Sequence, residues 1–383
     1  PCGTLFPYTT LFRSLFVALK DARDGHAFVA DALAKGAAAA LVTHRPEGVP
    51  EDAPLLIVEN TLEGLRGLGA AARARTECRV IGVTGSVGKT GTKEMLRAML
   101  APQGATHAPE RSFNNHWGVP LTLARMPHNT RFAVIEMGMN HAGEITPLTR
   151  LAKPHVAMIT TVEAVHLENF ADETGIADAK AEIFWGLPES GGTAVLNRDN
   201  RHFAHLAAKA GIHGARVVGF GSDNAAEARL VSVTPHPMAT VAQAVIQGEP
   251  VMFRVSAPGR HLVLNALGAL ASVQALGADL AHAAIGLGQW QAPEGRGARW
   301  IVTLAEAERA ETIEVIDEAY NANPTSVAAA LAVLAAHEVK DGVGRIARGR
   351  RLAVLGDMLE LGPQEAQLHA GLAGLPELQT LDL

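Results

Sequence analysis

The stretch VIGVTGSVGKTGTKEML, residues 80–96, decides how the chain is to be read. Gly88, Lys89 and Thr90 follow a short β-branched run, VIGV, suited to a buried strand. Beyond them Met95, Leu96, Met99 and Leu100 recur at helical spacing, which predicts a helix beginning near Thr90. A strand, a Gly-rich turn and a helix N-terminus make an anion site. The turn's N–H groups and the helix dipole supply positive potential, and glycine lets the backbone come close to a phosphate. Lys89 would reach the terminal phosphates and the Thr90 hydroxyl a Mg²⁺ ion. The usual loop leaves four residues between its first glycine and Gly-Lys-Ser/Thr. That glycine would fall at position 83, which is Val83; the glycines stand instead at Gly82 and Gly85. The competing reading is a plain strand–turn–helix corner with a solvated lysine, and Gly-Lys-Thr at the helix start weighs against it.

The chain has 383 residues, 48% of them hydrophobic, enough for two or three domains. A net charge of −6 without a long basic run argues against a nucleic-acid partner. No stretch approaches the roughly 20 apolar residues of a membrane helix, so no membrane insertion is expected. Cys2 and Cys78 offer no disulfide framework and suit a reducing cytosol, so a cytoplasmic location is expected. Residues 4–14, TLFPYTTLFRS, lack the basic region and cleavage site of a signal peptide and look like translated sequencing adapter. Residues 1–14 are therefore expected to be an artefact, with the natural N-terminus missing.

Residues 15–44 read as strand, loop, a helix ending at Lys35-Gly36, and strand. LLIVEN (55–60) reads as a further strand and residues 61–75 as a helix, which makes 15–76 a small α/β unit. FAVIEMG (132–138), VAMITTV (156–162), TAVLN (193–197) and RVVGFG (216–221) are apolar runs of buried-strand length. Alternating with helices, they predict a parallel sheet covered on both faces, an α/β fold. TVAQAVIQGEPVMFRV (240–255) reads as a hairpin and residues 261–277 as a helix closing on a glycine. PEGRGAR (293–299) is a Gly-rich hinge, which divides a central domain, 77–294, from a C-terminal one, 295–383. There TIEVIDEAY (312–320) and RLAVLGDM (351–358) are predicted strands of a third, incomplete, Rossmann-like unit.

Ligands of open α/β sheets bind at the carboxyl ends of the strands. Glu136 ends one predicted strand, His166 follows another by a short loop, and Asp317 ends a third. Each alone could be a solvated strand end; together beside the loop they favour function, with Glu136 placed to hold Mg²⁺. Lys180 shares an apolar stripe with Ile176, Ile183 and Phe184. It is either a snorkelling lysine or a desolvated amine of depressed pKa, able to take up carbon dioxide as a metal-binding carbamate. Asn114 and Asn115 suit a loop–helix start equally with a place beside phosphates. In IDEAYNANPTSVAAAL (316–331) a helix cap near Thr325 or Ser326 is expected, with more polar groups than a cap needs.

Together these residues resemble the Mur ligases, ATP-dependent enzymes of peptidoglycan synthesis. Their loop, T-G-x-x-G-K-T/S, is matched by Thr84, Gly85, Ser86, Val87, Gly88, Lys89 and Thr90, so the offset glycine looks like the family's own variant. SFNNHWGVPLTL, IEMGMNHAGEI, VHLENF, YNANPTS and LGDMLELG look like the member that joins D-alanyl-D-alanine to UDP-N-acetylmuramoyl-tripeptide. The likeness runs from Leu15 to the end of the chain. It implies a three-domain architecture: an N-terminal domain for the UDP substrate, a central ATP domain and a C-terminal ligase domain. It also implies ATP as phosphoryl donor and a monomer. The residues from Gly85 to Thr90 would hold the β- and γ-phosphates. Thr90 and Glu136 would bind one Mg²⁺, and His166 with carbamylated Lys180 a second. Asn115 would stand by the γ-phosphate and Asn265 face adenine, while Arg296 closes onto the phosphates. Asp317 or Glu318 would contact ribose, in a nucleotide-facing turn with Asn321 and Asn323.

The near alternatives are sister ligases taking other amino acids and folylpolyglutamate-type ligases; YNANP and EMGMNHAGEI stand against both. A P-loop kinase or motor ATPase would show the four-residue spacing and typically an aspartate in place of Glu136. A non-catalytic nucleotide binder would not need Lys89, Thr90 and Glu136 together. With both outer units expected to be truncated, the chain itself is expected to be a weak or inactive ligase.

Overall fold

The computed structural model describes residues 14–165, 167–236, 239–304, 311–343 and 347–382. The chain opens with a small α/β unit: β1 (Leu15–Val17), α1 (Val29–Ala34), β2 (Ala39–Val42), β3 (Leu55–Ile57) and α2 (Thr61–Ala74). Its strands pair in parallel in that order, and Phe16, Val29, Ala40 and Val42 share its core. The Asn60 side chain starts α2 by accepting from the Leu62 and Glu63 amides. The helix then packs on the next unit. A Cβ on Gly69 would lie 3.0 Å from the Pro120 carbonyl oxygen, and Arg73 donates to the Ala152 and Lys153 carbonyls.

The central unit runs β4 (Arg79–Thr84), α3 (Lys89–Leu100), β5 (Thr106–His107), α4 (Gly118–Ala124), β6 (Phe132–Glu136), α5 (Ile145–Ala152), β7 (Val156–Ile159), α6 (Glu173–Ala181), β8 (Thr193–Asn197), α7 (Phe203–Ile212) and β9 (Arg216–Gly221). It ends with β10 (Ala228–His236), β11 (Ala239–Ile246), β12 (Glu249–Val255), α8 (Arg260–Ala275) and α9 (Leu280–Leu287). The sheet order is β12-β11-β10-β9-β8-β7-β4-β6-β5. Alternate side chains serve opposite faces, as the pleat requires. Ile81, Val83, Val134 and Met158 meet α3, α8 and α9; Val80, Ile135, Ala157 and Ile159 meet the core under α4 to α7. Burying each of these larger side chains contributes about 1.5–3 kcal/mol.

The sheet is parallel from β5 through β10, and β11 runs antiparallel to both β10 and β12, so it is mixed where a parallel one was expected. The expected hairpin is β11–β12, turned by Gln247 (φ 48°) and Gly248 (φ 90°). The strands of this sheet missed in the sequence are the two-residue β5 and the much longer β10. The outer half of β10 alternates poorly and carries Pro235, which hides the period-two signal.

Beyond the hinge lie β13 (Ala298–Thr303), β14 (Thr312–Asp317), α10 (Pro324–Ala335) and α11 (Glu365–Leu372). β13 and β14 form an antiparallel pair. Residues 351–358, expected as a strand, join no ladder among the described residues, and Val354 is 99% exposed. A β-prone run becomes a strand only when a neighbour takes its N–H and C=O groups, and β13 and β14 pair only with each other. Among the described residues, no helix is long and apolar enough to cross a membrane.

Candidate active site

The loop between β4 and α3 is built around two left-handed glycines, Gly85 (φ 147°) and Gly88 (φ 83°). Both are also tight. A Cβ on Gly85 would lie 1.9 Å from Thr160 Oγ1, and one on Gly88 2.6 Å from Asn265 Nδ2. Thr160, just after β7, braces the loop by donating to the Val87 carbonyl at 2.6 Å. Asn265, on α8, is thereby set against the loop's outer end. Lys89 Nζ folds back on the loop, donating to the carbonyls of Gly85 at 2.6 Å and Ser86 at 3.2 Å. Burial holds its pKa below the usual lysine range; Glu136 opposes that shift and Arg296 adds to it.

Thr90 and Glu136, expected to share a Mg²⁺, lie within hydrogen-bond distance of each other. Thr90 Oγ1 donates to Glu136 Oε1 at 3.2 Å and lies 3.0 Å from Ser112 Oγ. Asn114 Nδ2 donates to the same carboxylate oxygen at 2.8 Å. The other oxygen, Glu136 Oε2, is buried without a hydrogen-bond partner, on a side chain 1% exposed. A buried carboxylate oxygen with no donor, beside a hydroxyl and a phosphate loop, fits a divalent cation. Sequence reasoning missed Ser112 and left Asn114 open. Asn115, expected beside the γ-phosphate, uses its Oδ1 to accept the Gly118 amide at the start of α4.

Lys180 is 2% exposed, on α6. Burial, and then the positive charge of Lys89, push its pKa well below the usual lysine range. The snorkelling alternative is thus overturned, because the amine does not reach water. His166 lies outside the described residues.

The hinge brings Arg296 to the site. Its guanidinium lies 4.0 Å from the centre of the Tyr320 ring, and its charge acts on Lys89. Asp317 ties hinge to strand end, accepting from the Gly295 amide and the Ala319 amide, each at 3.0 Å. Glu318 is pushed up to about 7 by burial and by Asp317, against Arg296 and Arg299. Asn321 accepts from the Ala322 amide. Asn323 caps α10, in a reciprocal box with Ser326, so the helix starts earlier than the expected cap at Thr325 or Ser326. The reason is Pro324, which suits the first helical turn and leaves the residue before it extended.

The model of the Mur ligase middle domain matches residues 83–273, and that of the Mur ligase glutamate ligase domain residues 303–379. The UDP-N-acetylmuramoyl-tripeptide–D-alanyl-D-alanine ligase of Escherichia coli is 39% identical over 360 residues, 93% of this chain and 74% of that protein. The chain belongs to the Mur ligase family. The Bacillus subtilis Mur ligase of the same name is 37% identical, over 93% of this chain and 73% of that one. Among solved Mur ligases, MurF from Acinetobacter baumannii superposes with a TM-score of 0.82 at 32% identity, covering 97% of this chain and 78% of that one. MurF from Thermotoga maritima, solved in complex with ADP, shares the fold at 24% identity and a TM-score of 0.78. The Mur ligase loop explains the opening anomaly, since the glycine at 85 rather than 83 supplies the left-handed residue directly after β4.

Proposed function

We propose that the chain ligates D-alanyl-D-alanine to UDP-N-acetylmuramoyl-tripeptide at the expense of ATP, a step of peptidoglycan synthesis. The observation that carries the phosphoryl chemistry is the unpartnered Glu136 Oε2 beside Thr90 and the loop. The substrates follow from the 39% identity to a ligase of that name. The tripeptide's terminal carboxylate attacks the γ-phosphorus and the bond to ADP breaks, leaving an acyl phosphate. The amine of the dipeptide then attacks the carbonyl; the C–O bond to phosphate breaks and the amine loses a proton.

In this reading Lys89 exchanges the Gly85 and Ser86 carbonyls for phosphate oxygens, and the Gly85–Thr90 amides hold the β- and γ-phosphates. Thr90 and Glu136 hold one Mg²⁺, and His166 with a carbamylated Lys180 a second; the metal would neutralise charge on the transferred phosphoryl group. Asn115 stands near the γ-phosphate and Asn265 by adenine. Arg296 reaches the phosphates, and Asp317 or Glu318 the ribose, with Asn321 and Asn323 framing the turn. Residues 15–76 take the UDP end, 77–294 the nucleotide and 295–383 the incoming amine, in a cytoplasmic monomer.

The test is ADP release with diaminopimelate- or lysine-containing tripeptide. It should require D-alanyl-D-alanine, with one tripeptide preferred. Release supported equally by D-glutamate, or needing no amine at all, would overturn the assignment.

A further inference from the structure

Residues 161–165 and 167–170, between β7 and α6, touch both the phosphate loop and the C-terminal unit. Toward the loop the contact is a backbone clamp. Ser86 Oγ donates to the Glu163 carbonyl at 3.0 Å and accepts from the Glu163 amide at 2.8 Å, while the Ser86 amide donates to the Thr161 carbonyl at 2.9 Å. Toward the C-terminal unit the contact is the Glu163 side chain. Its Oε2 accepts from the hydroxyl of Thr325, in the first turn of α10, at 3.5 Å. The carboxylate is aimed by a relay, in which Asn200 Nδ2 donates to Thr161 Oγ1 at 3.0 Å and Thr161 Oγ1 donates to Glu163 Oε1 at 2.9 Å. The same segment meets the C-terminal unit again at Gly362, left-handed at φ 62°, where a Cβ would lie 3.2 Å from Glu168 Cα.

We propose that Glu163 is a positioning residue that couples the phosphate loop to the docking of α10 through the Thr325 hydroxyl. One residue holds the loop by its backbone and the C-terminal unit by its side chain. Ordering of the loop by a nucleotide is therefore transmitted to α10, which belongs to the unit assigned above to the amine substrate. This rests on the proposed ligase reading for its kinetic consequence but not for its structural one. The division between backbone and carboxylate makes it testable. Glu163→Ala leaves the amide and carbonyl that clamp Ser86 in place and removes only the arm to Thr325.

The experiment uses the full chain, with hydrogen exchange measured with and without Mg-ATP. In the parent, nucleotide should slow exchange in residues 85–90 and also in residues 324–335. Glu163→Ala and Thr325→Val should keep the first protection and lose the second, and Thr325→Ser, which retains the hydroxyl, should restore it. ATP affinity should stay within about twofold, while KM for D-alanyl-D-alanine rises by up to about tenfold, the worth of one hydrogen bond. The double variant should be no worse than either single one. If α10 gains the same protection in Glu163→Ala and Thr325→Val as in the parent, the coupling is refuted. ADP release in the parent that needs no amine, or that D-glutamate supports equally, would instead sink the ligase reading and leave the exchange result standing.

Discussion

Glu136 and Lys180 are both buried, but their surroundings differ in kind. Glu136 has donors on one oxygen and none on the other, whereas Lys180 faces a second cation, Lys89. Low dielectric makes each arrangement unfavourable unless something of opposite charge arrives. A metal would complete Glu136, and conversion of Lys180 to an anionic carbamate would relieve its repulsion by Lys89. Lys180→Ala should therefore be nearly inactive in ADP release and partly rescued by acetate, because the missing group is an anion. Normal turnover in that variant would exclude the carbamate. Lys89→Ala should lower turnover by about 10²–10³, the usual effect of removing one group that stabilises transition-state charge. Its far-UV circular dichroism should be unchanged, since Lys89 bonds only to the loop's own carbonyls.

At the scale of elements, the β4–loop–α3 unit was legible because three local signals agree: a β-branched run, glycines where φ is positive, and a helical apolar stripe. The loop's tightness against its neighbours was not legible, since Thr160 and Asn265 come from distant parts of the chain. Gly88→Ala tests both at once. It forces a side chain into φ 83° and toward Asn265 Nδ2 at 2.6 Å. Stability should fall by about 1 kcal/mol or more from the backbone alone. Titration with Mg-ATP should show affinity at least about tenfold weaker, because the displaced amides no longer converge on phosphate. Unchanged affinity would mean that Asn265 does not shape the loop. The α10 cap illustrates the opposite error. Thr325 and Ser326 are good caps by type, but Pro324 assigns that place to Asn323.

For the whole molecule, the seam between the central and C-terminal units holds His261, at the start of α8. An added Cβ on neighbouring Gly259 would meet both the His261 ring and Val333 of α10. Burial lowers the His261 pKa to about 4 from an ordinary 6.5. Its neutral form is thus favoured by the fold, and the stability it contributes is fully present above pH 6.5. As pH falls toward 4 the unfolded chain binds the proton first and that stability is lost, about 2 kcal/mol of it by pH 5. Urea unfolding at pH 7.5 and pH 5 should show this slope, and His261→Gln should reduce it, leaving the smaller share of His107, His155, His202 and His213, whose pKa values burial also lowers. An equal slope in the variant would assign the acid sensitivity elsewhere.

The sequence by itself determined the phosphate loop, the alternation of strands and helices, the β11–β12 hairpin and the pairing of Thr90 with Glu136. Each depends on local periodicity, on a residue type that a backbone angle demands, or on the rule that parallel strands present their carboxyl ends together. Only the tertiary structure decided that the hairpin joins the central sheet through β10, that residues 351–358 join no ladder among the described residues, and that Asn114 rather than Asn115 reaches Glu136. It also decided that Lys180 is sealed from water beside Lys89 and that Glu163 joins the loop to α10. These outcomes depend on which distant groups come within about 3 Å of one another, and hydrogen bonding and desolvation act at that range whatever the separation along the chain.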